Sequence, residues 1–258
     1  MSNASFSLAR RLRAGETVLS GWCGLPYPIV AELVGREGFP AVTLDGQHGL
    51  WDTASLVAAV ASVRQGGAAP IVRIPVGAFA SVSRALDFGA EGIIAPMINT
   101  PADARAYVSC AKFPPVGERS WGPHRATTLA DMPDQKVYLR EANALTVTFA
   151  MIETRTALDN VEAIAATPGI DALFLGPADL SIALSNGANV DPMAPEVDRE
   201  IDRITAAATK AGKIMGAYCH NAERAMALAK RGVRFLAIGS DMGFLRAGAA
   251  AVLKAAKG

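Results

Sequence analysis

The sequence lacks the features that mark several protein classes. Its three cysteines, Cys23, Cys110 and Cys219, are widely spaced and form no CxxC pair, which argues against a disulfide framework or a zinc knuckle. The formal net charge is only +1, so there is no electrostatic case for nucleic acid or an anionic membrane as a partner. No apolar run reaches the length of a membrane span or a signal-peptide core. We therefore expect a soluble cytoplasmic protein, in a reducing compartment, whose partners are small molecules.

Two further absences concern α/β enzymes. The first predicted strand is followed by Gly24-Leu25-Pro26, whereas a dinucleotide-binding sheet usually has a GxGxxG turn there. The lysines are predicted on helices, on loops or at the starting end of a strand, and none is placed as the buried amine that a Schiff-base aldolase needs. A carbonyl substrate would therefore be activated by a metal ion acting as a Lewis acid.

What the sequence does contain is a strand followed by a helix, repeated about eight times without a linker or a low-complexity tract. The predicted strands are Thr17–Cys23, Phe39–Leu44, Pro70–Ile74, Gly92–Ile94, Val147–Ile152, Ala172–Leu175, Lys213–Cys219 and Arg234–Ile238. This alternation predicts a single (β/α)8 TIM barrel over residues 1–258, with a doubly wound open sheet as the competing α/β fold. Residues 5–14 are predicted to form a lid helix, and the irregular segment Phe113–Pro133 is predicted to be a functional lid.

Two carboxylates follow neighbouring predicted strands. Glu153 comes directly after Val147–Ile152, and Asp179 lies in the turn after Ala172–Leu175. Parallel strands of one βαβ unit end at the same edge of a sheet, so the two carboxylates are expected to bind a hard divalent cation of the Mg, Mn or Co class. The turn that starts at Gly176 opens a helix, and its free N–H groups can hold a small carboxylate or phosphate. The competing interpretation is a helix-capping Asp and a surface Glu.

Further polar residues are expected at the same edge of the barrel. Asp45 and His48 follow the second strand, and Arg73 ends the third. We favour His48 as a general base, acting directly or through water, with Asp45 fixing its tautomer and orientation. Arg73 is either a cation beside a developing oxyanion or a salt bridge at the rim. Trp22 and Tyr218, near the ends of the first and seventh strands, are either core aromatics or part of the pocket wall.

Six segments of the chain resemble, in order and over nearly its whole length, the HpcH/HpaI aldolase family. They are Asp45–Gly49 (DGQHG), Val72–Pro75 (VRIP), Leu86–Ala90 (LDFGA), Phe113–Ser120 (FPPVGERS), Met151–Thr154 (MIET) and Gly176–Ser181 (GPADLS). The resemblance implies a class II pyruvate aldolase of the 4-hydroxy-2-oxoheptanedioate aldolase kind. Such an enzyme reversibly cleaves a 4-hydroxy-2-oxoacid to pyruvate and an aldehyde through a metal-stabilised enolate.

The resemblance also implies roles for single residues. It makes Glu153 and Asp179 the metal ligands, the amides of Ala178 and Asp179 the holders of the pyruvate carboxylate, Arg73 the group that polarises the keto oxygen, and His48 with Asp45 the proton-handling pair. It implies that Asp87 reaches into the site of a neighbouring subunit. Gln47 stands where many members carry Glu, which is expected to alter the aldehyde preference. The family is typically a homohexamer, a dimer of trimers, with the last helix exchanged between subunits.

Two alternatives stay open on the sequence alone. The family also contains macrophomate-synthase-like enzymes, which decarboxylate oxaloacetate to the same enolate, and citryl-thioester lyases. A third possibility from another class is a catalytically idle barrel that binds a 2-oxoacid or serves as an oligomeric scaffold.

Overall fold

Residues 6–258 are described by a computed structural model, in which eight parallel strands close a barrel in the order of the sequence. The strands are β1 (Val18–Cys23), β2 (Ala41–Asp45), β3 (Ala69–Arg73), β4 (Gly92–Ala95), β5 (Val147–Ile152), β6 (Ala172–Leu175), β7 (Ile214–Cys219) and β8 (Phe235–Ile238). Val18 of β1 lies opposite Phe235 of β8, which closes the circle. The predicted TIM barrel is confirmed, and the open-sheet alternative is wrong.

Helices follow the strands along the chain. They are α1 (Leu8–Arg13), α2 (Pro28–Arg36), α3 (Thr53–Gln65), α4 (Ala80–Phe88), α5 (Pro101–Ala111), α6 (His124–Leu129), α7 (Gln135–Leu145), α8 (Arg155–Asp159), α9 (Val161–Ala166), α10 (Pro177–Leu184), α11 (Pro195–Lys210), α12 (Ala222–Lys230) and α13 (Asp241–Lys257). The helix predicted after β5 is divided at Asn160 into α8 and α9. Over residues 6–258, no helix combines the length and the apolar composition that crossing a bilayer would take.

The interior of the barrel is filled by large apolar side chains. Phe149 and Phe235 have ring centroids 4.8 Å apart, and Phe174 lies 6.1 Å from Phe235. Trp22 continues this stack towards the C-terminal ends of the strands, 6.3 Å from Phe174. Because alternate residues of each strand point inwards, these rings form a packed core and leave only the C-terminal edge open to a substrate.

Helix α1 closes the opposite end of the barrel. Leu8 and Leu12 are buried in the same apolar cluster as Phe149. The main-chain N–H groups of Ser7 and Leu8 donate to the carboxylate of Glu91, which directly precedes β4. The predicted lid helix therefore lies at the N-terminal end, because its apolar face fills the bottom of the barrel, and residue 5 of that prediction lies outside the described residues.

The segment Phe113–Pro133 is also packed away from the open edge of its own barrel. Phe113 is buried in a separate apolar cluster with Tyr138. Arg64, in the last turn of α3, donates a hydrogen bond to the carbonyl of Leu129 at 3.0 Å. Helices that follow barrel strands end at the N-terminal side of the barrel. The predicted functional lid therefore does not lie over the open edge of its own barrel, because its apolar residues are buried at the other end.

Candidate active site

The ends of neighbouring strands bring the predicted polar residues to one edge. Asp45 and Arg73 are the last residues of β2 and β3 and lie directly opposite each other in the sheet register. Glu153 directly follows β5, and Gly176 directly follows β6. Because all strands are parallel, these positions share the C-terminal rim of the barrel, where the active sites of TIM-barrel enzymes are built.

Asp45 holds Arg73 in a two-pronged ion pair. The guanidinium donates from Nε to Oδ1 at 2.8 Å and from Nη2 to Oδ2 at 2.6 Å. Burial alone would raise the pKa of Asp45, but the hydrogen bonds and charge of Arg73 outweigh it and bring the pKa below its ordinary value. The indole of Trp22 also donates to Asp45 at 3.1 Å, and its ring lies 4.8 Å from the guanidinium carbon. Arg73 is thereby fixed in one orientation at the pocket wall.

His48 lies on the loop after β2 and has an exposed side chain that lines the pocket. Asp45 accepts the main-chain N–H groups of Gln47 at 3.1 Å and His48 at 3.2 Å. Within residues 6–258, the carboxylate of Asp45 makes no hydrogen bond to the imidazole of His48. The prediction that Asp45 fixes the His48 tautomer is therefore wrong: both carboxylate oxygens are engaged by Arg73, Trp22 and main-chain amides, and Asp45 shapes the loop instead.

Glu153 is a buried carboxylate with one free oxygen. Its side chain is 2% exposed, and Oε1 accepts the main-chain N–H of Met97 at 2.8 Å. Oε2 has no hydrogen-bond partner in the part of the chain that the structure describes. Burial raises the pKa of Glu153 to about 7, with the N–H of Met97 opposing this shift and the nearby charge of Asp179 adding to it. The influence of Asp179 places the two carboxylates within electrostatic reach of each other.

Asp179 lies in the first turn of α10, whose N-cap is Gly176. Its side chain makes no capping bond within this fully described helix, whereas Thr154 caps α8 by accepting the N–H of Ala157 at 3.0 Å. The interpretation as a capping Asp and a surface Glu is therefore wrong. The first turn of a helix leaves its N–H groups without intrahelical acceptors, so the amides of Ala178 and Asp179 are available to a ligand.

Arg73, His48 and Asp179 lie around a cavity of about 230 Å³. It is lined by Trp22, His48, Arg73, Met151, Phe174, Gly176, Pro177, Ala178, Asp179 and Tyr218. The structure therefore brings most of the predicted site residues together around one space. The ring of Tyr218 meets that of Trp22 edge-on at 5.5 Å, so both aromatics are pocket walls as well as core residues.

Four predicted residues are not among the lining residues of this cavity: Glu153, described above, and three others. Asp45 lies behind Arg73, as described above. The side-chain oxygen of Gln47 is buried without a hydrogen-bond partner among residues 6–258. Asp87, in the last turn of α4, accepts a hydrogen bond from Arg119 at 2.6 Å. A role for Asp87 in catalysis thus depends on a second copy of the chain, and its role and that of Gln47 stay predictions.

The sequence reasoning missed several lining residues. Met151 and Phe174 face each other across β5 and β6, each two residues before a predicted site position. Inward-pointing residues of a strand are two positions apart, so this spacing could have predicted that both side chains point into the pocket. Met97, whose main chain binds Glu153, left no such signal, since any residue except proline offers an N–H. It adopts a left-handed φ of 54°, the kind of strained backbone found at functional sites.

The carboxylates of Glu153 and Asp179 suit a hard divalent cation. No group of three or more His, Cys, Asp or Glu side chains converges anywhere in residues 6–258. Mg²⁺, however, is commonly held by only one or two carboxylates, with water and substrate completing its coordination. The buried Oε2 of Glu153, left without a hydrogen bond, is an oxygen that a cation would satisfy. The residues present therefore fit such an ion.

None of the lysines lines the cavity, as predicted. Lys112 is buried, which the sequence reasoning did not foresee, but it lies at the other end of the barrel. Its ammonium is 2.7 Å from the carboxylate of Asp171, which directly precedes β6, and burial lowers its pKa. A Schiff base with this amine is thus excluded by distance from the cavity.

Comparison with known proteins agrees with this site. The family profile described as HpcH/HpaI aldolase/citrate lyase matches residues 21–247. A hydroxypyruvate/pyruvate aldolase of Rhizorhabdus wittichii is 36% identical over 243 residues, covering 94% of this chain and 95% of that protein. A 5-keto-4-deoxy-D-glucarate aldolase of Klebsiella pneumoniae is 34% identical over 249 residues, covering 95% of each.

A solved structure shares the fold. The crystal structure of an HpcH/HpaI aldolase/citrate lyase family protein from Burkholderia cenocepacia superimposes with a TM-score of 0.88 at 30% identity, covering 98% of this chain and 100% of that one. The match of the family profile over most of the chain, the curated aldolases among its relatives and the shared barrel lead to one conclusion. This chain belongs to the HpcH/HpaI aldolase/citrate lyase family and is a carbon–carbon lyase.

Proposed function

We propose that this enzyme is a divalent-metal-dependent pyruvate aldolase, which reversibly cleaves a 4-hydroxy-2-oxoacid to pyruvate and an aldehyde. The observation that carries the proposal is the buried, unpaired Oε2 of Glu153, which lies against Gly176 at the edge of the cavity that Asp179, Arg73 and His48 line. The names of the two relatives, a hydroxypyruvate/pyruvate aldolase and a 5-keto-4-deoxy-D-glucarate aldolase, support a 2-oxoacid substrate.

Substrate binding divides between two parts of the rim. Glu153 and Asp179 would hold the cation through carboxylate oxygens, and a bound Mg²⁺, Mn²⁺ or Co²⁺ would supply Lewis-acid polarisation of the 2-oxo group. The amides of Ala178 and Asp179, at the N-terminus of α10, would bind the substrate carboxylate. The α-oxoacid head is thereby oriented with its keto oxygen towards Arg73.

His48 and Arg73 carry the bond-breaking step. In the cleavage direction, His48 takes the proton of the 4-hydroxyl group, directly or through a water molecule. The C4 carbonyl forms as the C3–C4 bond breaks, and the bonding pair moves to C3 and the keto oxygen as an enolate. Arg73, fixed by Asp45 and the face of Trp22, stabilises the negative charge that develops on that oxygen. Protonation of C3 then gives pyruvate.

The aldehyde side of the cavity is small and mostly apolar. Trp22, Phe174, Met151 and Tyr218 supply its aromatic and thioether walls. The hydroxyl of Tyr218 donates to the carbonyl of Gly239 at 3.3 Å, which holds the ring in place. A cavity of about 230 Å³ with such walls favours a short aldehyde over a long acceptor.

We propose that the working unit is a homohexamer with α13 exchanged between copies. Beyond its first residue, α13 is exposed, and its apolar side chains include Leu245, Val252 and Leu253. An exposed apolar face of this kind is typical of a protein interface. A neighbouring copy would also bring Asp87 to the site. The free, buried thiols of Cys23 and Cys219 suit the reducing cytoplasm, where we place the enzyme.

Solvent-deuterium exchange into the methyl group of pyruvate tests enolate formation without the natural aldehyde. We expect exchange by the wild type with Mg²⁺, Mn²⁺ or Co²⁺, and none after chelation. Glu153→Ala and Asp179→Ala should each abolish it, whereas Glu162→Ala, which removes an exposed acid from α9, should not. Full exchange by either site variant in chelator-treated buffer would refute the metal site.

The same preparation separates aldol cleavage from decarboxylation. Incubation of oxaloacetate and Mg²⁺ with a panel of short aldehydes should give condensation products that also form from pyruvate. Turnover confined to oxaloacetate, with no condensation from pyruvate, would favour the decarboxylase alternative.

A further inference from the structure

Asp241 is a buried carboxylate outside the cavity. It is 2% exposed and is the one buried residue of α13, a helix that lies wholly within the described chain. Oδ1 accepts the N–H groups of Gly24 at 3.1 Å and Met242 at 2.8 Å, and Oδ2 accepts that of Leu25 at 2.8 Å. The N-cap of the helix is supplied separately by Ser240. Asp241 therefore links the start of α13, which follows β8, to the loop after β1.

A second set of contacts joins the loop after β1 to the loop after β2. The N–H of Leu50 donates to the carbonyl of Gly24 at 2.8 Å. The indole of Trp51 donates to the carbonyl of Cys23 at 2.8 Å. The backbones pack so closely that a Cβ on Gly49 would lie 3.0 Å from the Cα of Gly24. A shift of the first loop would therefore move the second.

His48 sits between two anchors on this second loop. On its N-terminal side, the loop is held by Asp45, which accepts the N–H of His48 at 3.2 Å. On its C-terminal side, residues 49–51 are held by the loop after β1, and thus by Asp241. The imidazole itself is exposed and makes no hydrogen bond within residues 6–258. Its position depends on the backbone beneath it.

We infer that Asp241 is a positioning residue for proton transfer, acting on His48 through Gly24 and Leu25. The inference rests on the proposed function, in which His48 is the base. A general base has to come within hydrogen-bond distance of the proton that it removes, so a loop displaced by about 1 Å lowers the rate by up to about a hundredfold. Asp241 provides the fixed point that prevents this displacement.

Asp241→Asn tests the inference with little change of shape. A carboxamide nitrogen cannot accept a hydrogen bond, so Gly24 or Leu25 loses its acceptor. For cleavage of 4-hydroxy-2-oxopentanoate, we expect kcat to fall about ten- to a hundredfold, with KM and Mg²⁺ affinity unchanged within about twofold. Ser240→Ala is the matched control: it removes the cap of the same helix and should lower Tm while leaving kcat unchanged.

Histidine labelling gives a readout that a purely structural role would not move. The chain has three histidines, His48, His124 and His220, so single variants assign their imidazole signals. In ¹⁵N-histidine-labelled Asp241→Asn, the His48 signal should shift or broaden and the His124 signal should stay. A lower Tm with unchanged kcat and an unchanged His48 signal would overturn the inference, because Asp241 would then only anchor α13.

Two further variants keep the outcome decisive. If Asp241→Asn does not fold, Trp51→Phe removes the indole link between the loops and should lower kcat and move the His48 signal in the same way. If His48→Ala cleaves as fast as the wild type, His48 is not the base, and a fall in kcat in Asp241→Asn would then have another cause. The labelled spectra still decide whether Asp241 holds the loop.

Discussion

At the scale of a single residue, the buried carboxyl of Glu153 lowers the stability of the metal-free protein, although we propose that the same group binds the metal. Burial makes its charged form unfavourable and raises its pKa from 4.5 to about 7. The unfolded chain, by contrast, ionises this group at its ordinary pKa. The folded, metal-free protein therefore binds this proton more tightly than the unfolded chain does. Its stability falls as the pH rises from about 4.5 to about 7, and the loss is then complete.

Glu153→Gln should remove this pH-dependent cost. A neutral side chain of the same size avoids burying a charge and keeps an acceptor for the N–H of Met97. In chelator at pH 8, we expect the variant to be more stable than the wild type by about 1–3 kcal/mol, with the difference vanishing near pH 4.5. Urea unfolding across this pH range measures it, with Glu37→Gln as an exposed control. A difference in stability that does not vary with pH would contradict the raised pKa of Glu153 in the folded protein.

At the scale of elements, the turn from β6 into α10 leaves space for the Glu153 carboxylate. Gly176 occupies this turn with a φ of −96°, a conformation open to other residues. A Cβ at this position, however, would lie only 2.2 Å from Oε2 of Glu153. Glycine is therefore required here by the close approach of the carboxylate and not by backbone strain.

Gly176→Ala should accordingly displace the Glu153 carboxylate. We expect the affinity for Mg²⁺ or Mn²⁺ to fall by about tenfold or more, the scale of disturbing a metal ligand's surroundings. Titration calorimetry with Mn²⁺ measures this loss. Gly248→Ala, on the exposed α13 with no atom within 4 Å of the added Cβ, serves as control and should bind metal normally. Equal affinities for both variants would remove Glu153 from the metal site.

For the whole molecule, the proposed exchange of α13 between copies rests on the apolar side chains that this helix exposes. The side chains of Val252 and Leu253 are 72% and 55% exposed. In an isolated barrel, charges at these positions would have little effect, since they already face solvent. In an assembly with exchanged helices, they would place carboxylates in an apolar interface and weaken it.

The double substitution Val252→Glu with Leu253→Glu should therefore lower the mass of the assembly in light scattering from that of a hexamer to that of smaller species. Lys254→Glu changes the net charge by the same amount on the same helix without removing apolar surface, and it should leave the mass unchanged. A wild type that runs as a monomer, or a double variant of unaltered mass, would contradict helix exchange.

Much of this enzyme follows from the order of its residues alone. The bounds of β5 and β6 agree with the prediction, and the other strands begin and end within two residues of it. The reason is that alternating strands and helices, and polar residues at strand ends, are patterns of neighbouring residues. Parallel strands then place Asp45, Arg73, Glu153 and Asp179 on one rim by topology, whatever the details of packing.

The tertiary structure decided which partners those groups bind. Asp45 holds Arg73 and the loop of His48, not its ring, and Glu153 depends on a main-chain N–H from Met97. Asp241 binds the main chain of the loop after β1, which is more than 200 residues away in the chain. Likewise, an amphipathic pattern shows that α1 has an apolar face, but not which end of the barrel that face closes. Such choices depend on contacts between distant segments and on backbone groups common to every residue type, which leave no pattern in the sequence.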